Sequence, residues 1–399
     1  MRAVTRATDP GDPVAEPGRP LVAFASPRRT LWGDEGVAVR IELPAPWVDH
    51  VGQVAEVLDG LRGDGAVAGP GRGPVAFGAL PYDRDAAAEL VVPRVLRGRD
   101  QEGAHWVTTV DGAGPAPAGT ATPPPVPLEV TVRSVRSPAD WCDDVATATK
   151  RIVDGELTKV VLARELELRA DAAFDPARVF GRLRAAAPHA LCFCVEGFVG
   201  ASPELLVSRV GDVVRAHPMA GTTPRTGDPE VDQRRAAELL GSAKNRVEHQ
   251  ITIDMVHETL LPWCSYLDAE PEPSIVAAGP VQHLASLVEG RLSHPAPSAL
   301  ELVAALHPTP AVGGWPRAAA LALQAELEGA DRGRYAGPVG WVDADGNGTW
   351  AVGIRSVELS GPTARVFAGV GVVADSDPLA ELDETRAKAQ ATLGALLRL

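Results

Sequence analysis

The residues best suited to chemistry in this chain are a few ionisable side chains in unusual company, most of them between positions 159 and 388. Lys159 heads KVVLAR, a strongly apolar strand. An ammonium there either reaches back to water along its own stem, or is desolvated near other cations and can then give up a proton and act as a base. Glu204 follows a proline in GASPELL, at the head of another apolar run. It reads as a turn residue or as a carboxylic acid kept protonated by apolar surroundings. Asn245 and Glu248 are three apart in SAKNRVEH, and Glu381, Glu384 and Lys388 share one face of the last helix. Taken singly these are solvated helix surface. Two helices aiming oxygens at one point would instead suit Mg2+, which takes one or two carboxylates and keeps several waters. Arg355, in the predicted strand AVGIRSVEL, alternates with apolar neighbours and could grip a carboxylate through its planar fork, or face solvent.

Several elements must hold these groups. Ser137-Pro138-Ala139-Asp140 opens a helix that ends near Gly155, and the strand TKVVLARELELR follows it. After the helix DPARVFGRLRAA come the strands of ALCFCVEGFVGASPELLVSR and DVVRAH. The spacing of Leu240, Val247, Ile251 and Met255 predicts one long helix over about 232–261 with these residues as its buried stripe. Asp345-Gly346-Asn347-Gly348 marks a hairpin before the strands GTWAVGIRSVEL and ARVFAGVGVV, and a final helix covers about 379–397. Nearer the start, strands are predicted in PLVAFAS, GVAVRIELP, PVAFGAL, AELVVPRV and AHWVTTV, with a helix in WVDHVGQVAEVLDGLRG that stops at Gly60 or Gly63. Residues 1–20 read as a disordered end, and the Pro-rich stretch 113–127 as a loop or linker between residues 21–135 and a denser portion, 137–399. Hairpin-linked strands interleaved with helices, without regular βαβ units, predict an α+β fold of antiparallel sheets with helices outside.

Composition narrows the function. A formal charge of −14 repels phosphate backbones and anionic lipid, so neither nucleic acid nor membrane is an expected partner. No apolar run reaches the length of a membrane helix and the first residues lack the apolar middle of a signal peptide, which predicts a cytoplasmic protein. Cys142, Cys192, Cys194 and Cys264 lack paired zinc spacing and read as reduced thiols. The letters GxGxxA at 369–374 fall inside a strand rather than opening a helix, so they mark a close approach to the backbone instead of a dinucleotide site.

Read together, KVVLAR, GASPELL, HPMAGTTPR, SAKNRVEH, VQHL, LHPTPAVGGWP, RGRYAGPVGW, AVGIRS and AGVGVVADSDPLAELDETRAK resemble the chorismate-utilising enzymes, in that family's order over some 250 residues. Before Ser137 only FGALPYDR is similar to the family. The resemblance implies a single large domain, residues 21–399, of antiparallel sheets stacked as a sandwich with helices packed outside. It implies Lys159 as the base that activates water for attack at C2 of chorismate, and Glu204 as the acid that protonates the departing C4 hydroxyl. Glu248 and Glu384 would bind Mg2+ directly, with Glu381 and Asn245 holding its waters; relatives often carry an acid at the place of Asn245. The metal would take the ring carboxylate, and Arg355 with the backbone amide of Gly369 the enolpyruvyl carboxylate. Gly221, His307, Ala311 and Lys388 would line the same cavity.

Within the family, water must lose a proton as it attacks whereas ammonia need not, so a water-adding enzyme needs a base. Anthranilate-type members resemble this chain but carry glutamine at the place of Lys159, and aminodeoxychorismate synthases carry a lysine in the segment that here reads PMAGT, where Ala220 offers no amine. The resemblance therefore points to an isochorismate synthase acting as a monomer, and leaves siderophore, menaquinone or another aryl acid open as the product's destination. A salicylate synthase, which goes on to expel pyruvate, and an inactive chorismate-binding relative are the alternatives.

Overall fold

Arg29–Leu43 and Ala88–Asp100 run antiparallel along most of their length, and the far edge of Ala88–Asp100 takes on both Val75–Ala79 and His105–Asp111. From this hub the ladders leave in two directions. One passes through Val22–Ala25, Leu191–Val195, Phe198–Ser202, Ser356–Ser360, Thr363–Val372 and Lys159–Ala170 to Val130–Ser134. The other passes through Pro338–Asp343, Gly348–Val352, Leu205–Val210, Val213–His217 and Val288–Leu292 to Cys264–Ala269. A sheet this wide cannot stay flat, because each strand twists against the next. The two arms turn face to face, and Val22, Phe24, Phe193 and Phe198 of one interleave with Val75, Phe77, Val339 and Trp341 of the other. That cluster is the filling of a sandwich. The computed structural model describes residues 1–8, 20–63, 68–111 and 124–397, and within them the expected single α+β domain is present.

Helices close the outer faces. Pro176–Ala186 and the C-terminal helix Pro378–Leu397 bury Val179, Phe180, Leu183, Ala389 and Leu396 on the first arm. Ala243–Leu260 and Ala299–Leu306 bury Ile253, Met255, Val256, Leu300 and Val303 on the second. Each large side chain fully buried in this way stabilises the fold by roughly 1.5–3 kcal/mol before the entropy of ordering it is counted. The cap at Ser137 is formed as expected: its side chain accepts from the Asp140 N–H ahead of the helix Pro138–Val153. The turn before Gly348–Val352 is tied by the Asp343 carboxylate, which accepts from the backbone N–H of Asn347. Cys192 and Cys194 lie buried in one strand as free thiols, each pushed up to about 12 by burial. No helix among the described residues is long and apolar enough to cross a membrane.

Two expectations are corrected. Residues 2–8 are not a disordered end: Arg2–Thr8 pairs with His105–Asp111, its Ala3 and Thr5 buried, and the Pro/Gly composition that suggested disorder begins only after Thr8. The predicted single helix over 232–261 is two helices, Pro229–Gly241 and Ala243–Leu260, broken at Ser242. Ser242 is extended (φ −74°, ψ 109°) and its hydroxyl accepts from the Asn245 N–H, so it caps the second helix and resets its phase. Of the expected stripe Met255 is buried, Leu240 and Ile251 are half-buried and Val247 is 62% exposed, while Thr252, Ile253, Val256 and Leu260 complete the inward face. Of the Pro-rich stretch 113–127, residues 113–123 lie outside the described residues, and 124–127 form no helix or strand.

Candidate active site

A cavity of about 280 Å3 opens where the start of Lys159–Ala170 and the end of Thr363–Val372 meet the helices Ala243–Leu260 and Pro378–Leu397. The tertiary structure brings to its wall Lys159, Glu204, Gly221, Asn245, Glu248, Ala311, Arg355, Gly369, Glu381, Glu384 and Lys388, contributed by segments more than 200 residues apart in sequence.

Lys159 is 3% exposed, and its Nζ lies 2.6 Å from a Glu248 carboxylate oxygen. The antiparallel register sets Gly371 opposite Val161, directly over the lysine stem. A Cβ at Gly371 would stand 2.8 Å from Lys159 Cε and 3.1 Å from the Glu248 carboxylate, so only glycine leaves room for that pair. The close approach expected at the 369–374 glycines is thus made here by the lysine. Glu204, also 3% exposed, is held by its backbone: its N–H donates to Ser202 Oγ at 3.2 Å and its carbonyl accepts from the Val352 N–H at 3.2 Å. Burial pushes its carboxyl up to about 8, against the opposing pull of the Met219 N–H, Lys159 and Lys388. At neutral pH it is mostly a neutral acid, as one of its two readings expected.

The two helices present oxygens as their spacing predicted. Asn245 donates its amide to Ser242 Oγ at 2.9 Å and keeps its carbonyl oxygen toward Gly221, where a Cβ would lie 3.2 Å from it. Gly221 has φ +74°, a left-handed backbone that glycine adopts without strain. Glu384 pairs with Lys388 one turn later at 2.6 Å, and the same ammonium donates to the Gly369 carbonyl at 2.9 Å.

Arg355 is not a strand residue. The ladder stops at Val352 and resumes at Ser356, and Arg355 lies between with φ +53°. Gly353 donates to the Gly337 carbonyl, and a Cβ on it would stand 2.7 Å from that oxygen. Just past this close approach the backbone leaves the sheet, and Arg355 reaches the cavity, where its guanidinium donates to the Lys388 carbonyl at 3.2 Å and to His283 Nε2 at 3.3 Å. A guanidinium has only donors, so Nε2 accepts and the imidazole proton sits on Nδ1, aimed at the Gly221 carbonyl 3.2 Å away. Burial, Arg355 and Lys388 all push His283 well below its ordinary value, in keeping with a neutral ring.

His307 is the one expected lining residue that the structure places elsewhere. It is 1% exposed, bonded through Nε2 to the Tyr82 carbonyl at 2.8 Å and packed edge-on to the Tyr82 ring, so it supports the loop behind Ala311 and does not line the cavity. His283 and Tyr335 do line it, although no role was expected for either. Tyr335 stacks on Phe367 at 5.0 Å, accepts from the Gly369 N–H, and is pushed up to about 12 chiefly by burial. Both belong to segments that carry the resemblance, VQHL and RGRYAGPVGW, but a lone aromatic or histidine in an apolar run reads as core.

A cavity that joins a buried amine to a protonated carboxyl, flanked by helix carboxylates and an arginine, on an antiparallel sandwich, defines a class: the chain belongs to the chorismate binding enzyme family, whose sequence pattern matches residues 116–397. Among its relatives, the putative isochorismate synthase MenF of Mycobacterium tuberculosis is 42% identical over 345 residues, covering 82% of this chain and 87% of the relative. Isochorismate synthase DhbC of Bacillus subtilis is 37% identical over 366 residues, covering 86% and 85%. The crystal structure of a putative 2,3-dihydroxybenzoate-specific isochorismate synthase, DhbC, from Bacillus anthracis superposes with a TM-score of 0.83 at 33% identity, covering 96% of this chain and 97% of that one.

Proposed function

We propose that this chain is an isochorismate synthase, converting chorismate to isochorismate with Mg2+. The observation that carries the reading is a buried lysine and a carboxyl kept protonated near neutrality on the wall of one cavity. Lys159, as a free amine once its own proton has passed to solvent, takes a proton from water as that water attacks C2, and Glu204 gives its proton to the C4 hydroxyl, which leaves as water. One water enters and one departs, so the net change is an isomerisation.

Charge supports the metal. The cationic Lys159, Arg355 and Lys388 face the carboxylates of Glu248, Glu381 and Glu384, with Glu204 neutral, so the wall is close to balanced before substrate arrives. Chorismate brings two carboxylates, and a divalent cation offsets them. Among the described residues no three His, Cys, Asp or Glu side chains converge into a closed protein cage. An open set of helix carboxylates and an amide fits Mg2+, which completes its shell with water and substrate oxygens. Glu248 and Glu384 would hold the ion, with Asn245 and Glu381 on its waters, and bound there it would supply charge to the ring carboxylate. Arg355 and the Gly369 N–H, with the Tyr335 hydroxyl beside it, would receive the enolpyruvyl carboxylate.

Incubation with chorismate and Mg2+, followed by chromatography with fluorescence detection, is expected to give isochorismate. Accumulation of fluorescent salicylate would replace this reading with a pyruvate-expelling synthase, and unchanged chorismate would replace it with a binding protein. Exhaustive EDTA treatment is expected to remove the activity by roughly 100-fold or more, and added Mg2+ to restore it. Full turnover after chelation would reject the metal.

A further inference from the structure

We infer that Arg332 and Glu328 are a positioning pair for the reaction, fixing the strand that carries Lys159 against the loop that carries Ala311 and Val312; the inference rests on the isochorismate synthase reading. Their side chains are 4% and 8% exposed and doubly bonded, with Arg332 Nε 2.8 Å from Glu328 Oε2. Two of the other Arg332 donors go to carbonyls, Val312 at 2.9 Å and Val161 at 2.8 Å. Glu328 accepts from the Ala163 N–H at 2.8 Å. Gln324 runs parallel to them: its amide donates to Val161 O at 2.8 Å and Gly313 O at 2.7 Å, and its carbonyl accepts from the Tyr82 hydroxyl at 2.8 Å.

The location explains why side chains are needed. Among the described residues, Lys159–Ala170 has a partner strand on this edge only at Lys159 and Val160, opposite Gly314–Trp315, and pairing resumes at Leu166 opposite Ser134. Between them the Val161 carbonyl and the Ala163 N–H would be left in a dry interior, where an unpaired backbone group is costly. Arg332, Glu328 and Gln324 stand in for the missing strand. A buried ion pair is a poor device for stability alone, since apolar residues of equal volume often do as well. What a planar guanidinium adds is geometry, and it adds it at Val161 and Val312, both on the cavity wall, with Val161 two residues from Lys159. The chain also passes from Arg332 directly to the wall, through the bond from the Tyr335 N–H to its carbonyl at 3.0 Å.

The test is steady-state kinetics of the full chain with chorismate and Mg2+, alongside thermal melting and hydrogen exchange at Ala163 and Val161, whose N–H groups donate to Glu328 and to the Gly313 carbonyl, for Arg332→Lys and Glu328→Gln. The Arg332→Lys variant keeps the charge and loses the fork. We expect kcat to fall by about 10- to 100-fold while KM moves by less than about threefold, with faster exchange at both amides. A lower melting temperature with unchanged kcat would make the pair structural and overturn the inference. If Arg332→Lys does not fold, Gln324→Met removes the parallel bonds without stranding a charge and reads the same split. A wild-type chain that leaves chorismate unconverted would instead fell the functional reading, an outcome distinct from a working enzyme with indifferent variants.

Discussion

Lys159→Ala is expected to abolish isochorismate formation, a loss of about 10²- to 10⁴-fold or more in kcat, because water must shed a proton as it attacks C2 and an alanine cannot take it. Chorismate binding should survive, since Arg355, Lys388 and the helix carboxylates stay in place. Glu248 loses its ammonium partner, yet it lies at the cavity, 13% exposed, where water can reach it, so the cost to folding should stay below that of stranding a wholly buried charge. Turnover by chromatography, binding by calorimetry and melting by circular dichroism separate these effects. Turnover at the wild-type rate would remove Lys159 from the mechanism, and lost binding would recast it as a substrate anchor.

The second large effect is expected at Glu204. Replacing it by glutamine keeps the shape and removes the proton, so kcat should fall by roughly 10²- to 10⁴-fold with KM little changed. The wild-type rate should also decline as pH rises through about 8, where the folded protein loses that proton. The linkage has a definite sign. Burial raises this carboxyl above its ordinary value of 4.5, so the folded state holds a proton that the unfolded chain has released. The stability tied to Glu204 is therefore whole below about 4.5, drains as pH rises, and is lost once pH passes about 8. Across that window the Glu204→Gln protein should lose less melting temperature than the wild type. A rate that stays level from pH 7 to about 9.5 in the wild type would exclude Glu204 as the acid.

Much of this site was legible before any fold was known. Strand alternation located Lys159 at the head of its strand, the cap at Ser137 announced its helix, and three- and four-residue spacings put Asn245 with Glu248 and Glu384 with Lys388. These features are local: an N-cap or a helix face depends on residues within one or two turns. Even the break at Ser242 has a local signal, a serine three residues ahead of Asn245, although the apolar spacing of 240–255 runs across it.

Residue order thus sufficed for the type of most elements, the α+β class and the choice of ionisable groups. Which of those groups meet was settled by long-range packing. Gly371 makes room for Lys159 because a ladder pairs strands some 200 residues apart, and Arg355 lies in the gap between two strands, with φ +53°, where the Gly353 N–H donates to the carbonyl of Gly337. His307 turns to Tyr82 and away from the cavity, while His283 is given its tautomer by Arg355. Residues 2–8 are ordered by a partner strand about a hundred positions away. Short-range propensity carries no record of such registers, which are set by how two sheet faces and their covering helices pack together.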